Sequence, residues 1–336
     1  MKQKKLLIGI AGLILVLIIF GAVFTSVNNT STETQTIGVR LKWLFFSNYS
    51  GAIAANENKF FPSNWTVNIN PGGFETDSIK LVASGSDQFG ITSSIELLKA
   101  RAKGVPVIAV CADFQKSPVA FLSLKSSNIT NFKQIEGKKV GMKFGTDTCI
   151  IYYAILNKEG LDAKKVSEIP VKFSTLPLIE EEVDVFPSYF MTDPVNLEAK
   201  SIKLNIMTPD EYGITIYGNV LFTTEQLIKE KPEMVREFVR AYVKGWRWAV
   251  ENPVENSMLF EKLNPKVPAK NQEEILKRTI PFLVVQGGMD RFGSMNIDKW
   301  NATMETIKEG SSEMKDVDLE KLSIDGCFTN EFLPSK

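Results

Sequence analysis

Residues 41–61, LKWLFFSNYSGAIAANENKFF, decide the fold. The run leading into them, residues 37–43 (IGVRLKW), alternates apolar and polar side chains, the period of a half-buried strand. Residues 45–51 (FFSNYSG) interrupt that strand with turn formers and aromatic rings. From Ala52 the pattern is helical, with Ala52, Ile53 and Ala55 in the first turns and Phe60 and Phe61 expected to close the helix. Strand, short polar-aromatic loop and helix N-terminus form the opening unit of an open α/β sheet. Ligands of such sheets lie beyond the carboxyl ends of the strands, where helix N-termini point free N–H groups into a crevice.

Working outward, strands are expected at residues 65–70, 88–92, 105–111 and 119–124, then at 138–143, 166–173, 185–189 and 202–207. Helices alternate with them at 77–83, 94–103 and 149–159. Ser93 is placed to cap the second of these, with Glu96 in a capping-box position. Strict alternation of this kind predicts βαβ units and a largely parallel sheet. Residues 232–251 predict one long helix whose apolar face carries Val235, Phe238, Val239, Tyr242, Trp246 and Ala249. Further helices are expected at 271–282 and 298–308. Changes of neighbourhood near residues 117–123 and 214–222 predict two lobes joined by two crossings. Residues 37–122 make the first part of lobe 1, 123–215 make lobe 2, and 216–336 return to lobe 1 with the C-terminal helices.

Composition narrows the function classes. Lys and Arg together number 39, as do Asp and Glu, so no charge excess points to nucleic acid. The chain of 336 residues has no histidine, which removes the commonest general base and the commonest metal ligand together. No cofactor is expected. Cys111, Cys149 and Cys327 lack any CxxC pairing; buried free thiols are expected, with a Cys111–Cys149 disulfide the alternative in an oxidising compartment. After Lys2, Lys4 and Lys5, residues 6–24 (LLIGIAGLILVLIIFGAVF) carry no charge, long enough to span a bilayer with the lysines inside. Residues 1–27 are therefore expected to be a membrane anchor or signal segment and 28–36 a polar tether, leaving the remainder extracytoplasmic.

Several stretches taken together resemble one family. Trp43, Asn48-Tyr49-Ser50-Gly51 and Phe60-Phe61 resemble the opening of the extracytoplasmic solute-binding proteins that capture thiamin pyrimidine precursors. Residues 77–85 with Phe89-Gly90, 103–107 (KGVPV), 115–118 (QKSP), 137–141 and 232–253 resemble the same group. The wider superfamily includes binders of sulfonate, nitrate and riboflavin. The resemblance implies an α/β, two-lobe, periplasmic-binding-protein-like fold of type II, with the ligand clamped in the cleft between lobes and an N-terminal transmembrane helix before it. It also implies a monomeric substrate-binding component of an ABC importer, partnered by permease and ATPase subunits and having no catalysis of its own.

The residues that the resemblance puts on the ligand are Trp43, as a stacking surface, and Asn48, Tyr49, Ser93 and Gln115 from the first lobe. Thr146 from the second lobe is implied as a donor, Tyr189 and Asp193 as an aromatic-plus-acid pair, and Tyr217 as a further contact. Family members often carry His where this chain has Tyr49 and Glu where it has Asp193. An acid opposite aromatic faces suits an aminopyrimidine, because the carboxylate accepts from the exocyclic amine while rings cover the base. A sulfonate or nitrate site would want clustered N–H donors and Arg, and the candidate loops hold no Arg. Bland roles are open to the same residues: Trp43 as core at a strand end, Asn48 as a turn former, Asp193 as a helix-entry residue and Asp147 as a helix N-terminal acid. A related fungal group builds the thiamin pyrimidine from its own histidine and pyridoxal phosphate, chemistry for which this chain has no donor.

Overall fold

Alternation in the first strand is realised as drawn: Ile37, Val39 and Leu41 are buried in one apolar cluster. The structure is a computed structural model that describes residues 34–284, 288–310 and 318–335. The expected membrane segment and most of the tether lie outside the described residues, among which no helix is long and apolar enough to cross a membrane. Residues 36–336 form one compact unit.

In chain order the unit begins with β1 (Gln35–Arg40), a 3-10 turn (Ser47–Tyr49), α1 (Ser50–Glu57), β2 (Trp65–Asn70), α2 (Ser78–Ala83), β3 (Phe89–Ser93), α3 (Ser94–Ala102) and β4 (Val107–Ala112). The middle of the chain supplies β5 (Val119–Leu124), β6 (Lys139–Met142), α4 (Asp147–Glu159), β7 (Ser167–Pro170), α5 (Leu176–Ile179), β8 (Phe186–Tyr189), α6 (Asp193–Glu198) and β9 (Leu204–Met207). It closes with β10 (Asn219–Thr224), α7 (Glu225–Glu230), α8 (Pro232–Glu251), α9 (Pro253–Leu263), α10 (Ala269–Leu283) and α11 (Ile297–Gly310). Phe60 and Phe61 fall beyond α1, which ends at Glu57. The helix α9 was not foreseen in the sequence.

The strands sort into three sheets, ordered β2-β1-β3-β10-β4, β8-β5-β9 and β6-β7. The expectation of a largely parallel sheet is corrected. β1 and β3 pair in parallel, as do β6 and β7. β10 runs antiparallel to both β3 and β4, and β5 runs antiparallel to both β8 and β9. β10 enters its sheet from the middle segment rather than through a helical crossover, so nothing compels it to run parallel. Along β10, Val220 and Phe222 face one apolar cluster and Leu221 the other. A register shift between Leu221 and Phe222 lets consecutive Val110 and Cys111 on β4 face the same side.

The long helix buries its expected face completely, Val235, Phe238, Val239, Tyr242, Trp246 and Ala249 all being inaccessible. It approaches α1 so closely that a Cβ on Gly245 would sit 2.1 Å from the Gly51 carbonyl oxygen, and one on Gly51 would strike Trp246 and Tyr242. Two glycines thus let α8 brace the helix that carries the aromatic loop. The C-terminal helices hold that loop from the other side. Gln272 Oε1 accepts from the Ser47 N–H and hydroxyl, each at 3.0 Å, Asn264 Nδ2 donates to the Phe45 carbonyl, and Asn256 Nδ2 donates to Ser50 Oγ. All three cysteines are buried free thiols, so the disulfide alternative is absent.

Asp113, just after β4, is fully buried, with the Tyr242 hydroxyl donating to its Oδ2 at 2.5 Å and the Cys111 sulfur 4.0 Å from Oδ1. Burial pushes its carboxyl up to about 8, against the opposing pull of the Tyr242 hydrogen bond. The folded state therefore keeps a proton that the unfolded chain releases near about pH 4. This group's contribution is present in full below that value and is lost as pH rises through about 8. Asp113→Asn keeps an acceptor for Tyr242 and abolishes the titration. Its melting temperature is expected to fall less than that of the unsubstituted protein between pH 5 and pH 9, by the equivalent of about 3 kcal/mol. Scanning calorimetry across that range measures it.

Candidate functional site

The carboxyl ends of β1, β6 and β8 open on one cavity of about 700 Å³. Beyond β1 the chain bends through Lys42 and Trp43. The next loop lies directly on this bend: Gly72 N–H donates to the Trp43 carbonyl at 2.9 Å, and a Cβ at Gly72 would collide with the Leu41 and Lys42 backbone. Opposite, the short link after β6 carries Lys143 and Thr146 to the N-terminus of α4, and β8 ends in Tyr189, ahead of Asp193 in the first turn of α6.

Of the residues expected on the ligand, six line this cavity: Trp43, Asn48, Tyr49, Thr146, Tyr189 and Asp193. Asn48 lines the cavity but is 1% exposed, and among the described residues its buried Oδ1 has no hydrogen-bond donor. Tyr49 is buried beside it, and burial raises its hydroxyl above the usual phenol value. Asp193 accepts from the Ser188 hydroxyl on Oδ2 at 2.8 Å; among the described residues nothing donates to Oδ1. Burial raises its carboxyl, with Lys143 and Ser188 opposing. The Trp43 ring meets Phe173 at a centroid distance of 4.5 Å, and Phe173 also meets Phe74 at 5.3 Å, so the cavity has an aromatic wall contributed from both sides.

Three expected residues are elsewhere, and one inside is committed. Gln115 Nε2 donates to the Ala112 and Ser294 carbonyls, tying down the crossing that follows β4. Tyr217 accepts from the Asn296 N–H at 2.8 Å and packs on Trp300. Ser93 caps α3 by accepting from the Glu96 N–H at 3.2 Å, does not line the cavity, and helps to hold the Asp147 carboxyl down. The Glu96 carboxylate turns to Lys99 rather than completing a capping box. Thr146 lines the cavity, but its hydroxyl donates to the Lys143 carbonyl at 2.6 Å.

Sequence reasoning missed the charged floor. Lys42 Nζ donates to Asp147 Oδ2 at 2.7 Å and lies 2.5 Å from the Tyr189 hydroxyl, which itself reaches Asp147 at 3.2 Å. Burial works to raise the Asp147 carboxyl, but the Lys42 charge and the hydrogen bonds from Lys42, Ser93 and Tyr189 hold it below the usual carboxylate value. Burial first, and then the charge of Asp147 and the hydrogen bond to it, lift Tyr189 well above the ordinary phenol value. Lys42 and Lys143 each stand just past a strand end, so the strand-end rule applied to every polar residue finds them.

Removing one partner of this pair strands the other. Asp147→Asn and Lys42→Met are each expected to destabilise the protein, by up to about 3–5 kcal/mol for a fully buried pair and less here, where Lys42 is one-fifth exposed. The double variant should recover part of the loss, with a coupling of about 1–3 kcal/mol in urea unfolding. Because the Asp147 carboxyl is depressed, its stabilisation is present above the ordinary carboxylate value and is lost as pH falls through the depressed one.

A family model described as NMT1/THI5 like matches residues 47–256. A riboflavin-binding protein of Chloroflexus aurantiacus is 27% identical over 274 residues, 78% of this chain and 75% of that one. A formylaminopyrimidine-binding protein of Halalkalibacterium halodurans is 24% identical over 307 residues, 89% of this chain and 92% of that one. A 4-amino-5-hydroxymethyl-2-methylpyrimidine phosphate synthase of Legionella pneumophila is 26% identical over 266 residues, 77% of this chain and 79% of that one. Among solved structures, the periplasmic aliphatic sulphonate binding protein of Escherichia coli superposes with a TM-score of 0.69 at 12% identity, over 86% of this chain and 91% of that one. That likeness shows the fold, an α/β periplasmic-binding-protein-like architecture.

Proposed function

As the chain belongs to the NMT1/THI5-like family, we propose that it is the substrate-binding component of an ABC importer, capturing a small heteroaromatic ligand of the thiamin-pyrimidine-precursor type. The observation that carries this reading is an aromatic wall built on Trp43 and Phe173 in the same cavity as an Asp193 carboxylate oxygen to which no described residue donates, with the buried amide of Asn48 also lining that cavity. Such a site wants a flat ring edged with N–H groups. The ring stacks on Trp43, an amine donates to Asp193 Oδ1, and a second donor satisfies Asn48.

Residues 37–122 with 216–336 are read as one lobe and 123–215 as the other, in the type II arrangement, which the strand order β2-β1-β3-β10-β4 supports. The cavity then lies between lobes, and closure on the ligand delivers it to permease and ATPase subunits. The apolar run at residues 6–24 supports a membrane tether and an extracytoplasmic location. A synthase role is disfavoured by the chemistry of the chain, which has no histidine to give up.

Thermal-shift titration with 4-amino-2-methylpyrimidines, riboflavin, alkanesulfonates and nitrate tests the reading. A ligand at a hundredfold excess over its Kd stabilises by about 2.7 kcal/mol. Trp43→Ala should abolish the shift. Asp193→Asn should weaken binding about tenfold or more, and in the ligand-free protein it should remove the pH dependence of stability that a carboxyl raised by burial contributes. A shift with sulfonate or nitrate alone would keep the fold and overturn the ligand class.

A further inference from the structure

One cavity residue has no role in the ligand reading so far. Lys143 is 9% exposed and lines the cavity, just past the end of β6. Its ammonium donates to the Pro187 carbonyl at 2.8 Å and stands 4.9 Å from the Phe173 ring centroid and 4.6 Å from that of Phe186. Among the described residues no carboxylate forms an ion pair with it, in contrast to Lys42 and Lys99, which hold Asp147 and Glu96. Desolvation lowers its ordinary value, while the charges of Asp193 and Asp147 act in the other direction. An ammonium has three donors, and the Pro187 carbonyl takes one. A buried cation flanked by rings and short of acceptors is expensive unless something else supplies an oxygen.

Asp193 gives the complementary half. Its Oδ1 needs a donor, and it feels the Lys143 charge without touching it. The two groups therefore face one cavity as an acceptor and a donor with space between them.

We infer that Lys143 is a specificity-determining residue that donates to an oxygen substituent of the ligand, so that the preferred ligand is a heteroaromatic carrying an amine and a neighbouring oxygen on the same edge. This rests on the heteroaromatic reading above. The amine meets Asp193 and the oxygen, whether hydroxyl, carbonyl or carboxylate, meets the ammonium.

Isothermal titration of three probes tests the inference: 4-amino-2-methylpyrimidine, its 5-hydroxymethyl derivative and its 5-carboxylate, with benzenesulfonate and nitrate alongside. The unsubstituted protein is expected to prefer the oxygenated rings by about 10- to 100-fold, the range of a hydrogen bond to a charged group. Lys143→Met should reduce that ratio to within about threefold. Lys143→Gln, which keeps a donor and loses the charge, should retain part of the preference for the hydroxymethyl ring and lose that for the carboxylate. Melting curves of both variants check the fold. A preference that survives in Lys143→Met, or equal binding of all three rings by the unsubstituted protein, overturns the inference and leaves the heteroaromatic reading standing. Binding of benzenesulfonate or nitrate alone, lost in Lys143→Met, overturns the heteroaromatic reading and supports Lys143 as the oxygen donor. No binding to any probe contradicts both.

Discussion

The ion pair between Lys42 and Asp147 is the constraint on which the site depends. It joins the exit of β1 to the N-terminus of α4, positions more than a hundred residues apart in the chain, with the Tyr189 hydroxyl as a third member from the end of β8. With Asp147 buried, neither charge is cheap to leave alone, so the pair holds these elements together around the cavity in the conformation seen here. Trp43 adjoins Lys42, and Thr146 adjoins Asp147, so the pair sets the spacing of the cavity walls. Behind it, the Gly51–Gly245 approach and the clamp from Gln272, Asn264 and Asn256 keep the aromatic loop from shifting.

Around this satisfied pair lies a set of polar groups that the fold leaves incomplete. Asn48, Asp193 and Lys143 all line the same cavity, and each carries a polar group in surroundings that make an unmet hydrogen bond costly. A protein selected for stability alone has no use for such a cluster. One that must hold a small polar ring does, because a preorganised, dry set of donors and acceptors discriminates strongly against a ligand lacking a partner group.

Much of the frame was legible in the sequence because period-2 alternation and strand-end position are local signals. They placed β1, β2, β5 and α8 closely; it was the family resemblance that pointed at Trp43, Asn48, Tyr49, Thr146, Tyr189 and Asp193, which line the cavity. Lys42 and Lys143 escaped because a lysine beside a strand end reads as solvated until its partner is known, and Asp147 reads equally well as a helix N-terminal acid. Gln115 and Tyr217 sit in the crossings, which the C-terminal part of the chain ties down, as in the Gln115 N–H to Phe282 carbonyl bond. Their side chains are consumed by the carbonyls and N–H groups of residues 112, 294 and 296. Strand direction was misread for a topological reason: alternating elements imply parallel pairing only when every connection is a helical crossover, and the entry to β10 is not. The helix α9 was overlooked because Asn252-Pro253 ends α8 and, at the same time, starts the next helix, with Pro253 at its first turn.

The central claim is that this one cavity holds a flat, amine-bearing ring against Trp43. A crystal structure of the protein grown with 4-amino-5-hydroxymethyl-2-methylpyrimidine tests it most directly. The account predicts the ring stacked on Trp43, its exocyclic amine within hydrogen-bond reach of Asp193 Oδ1 and a donor group on Asn48 Oδ1, with the Lys42–Asp147 pair intact. A ligand bound elsewhere, or bound here with Asp193 turned away from the amine, would contradict it.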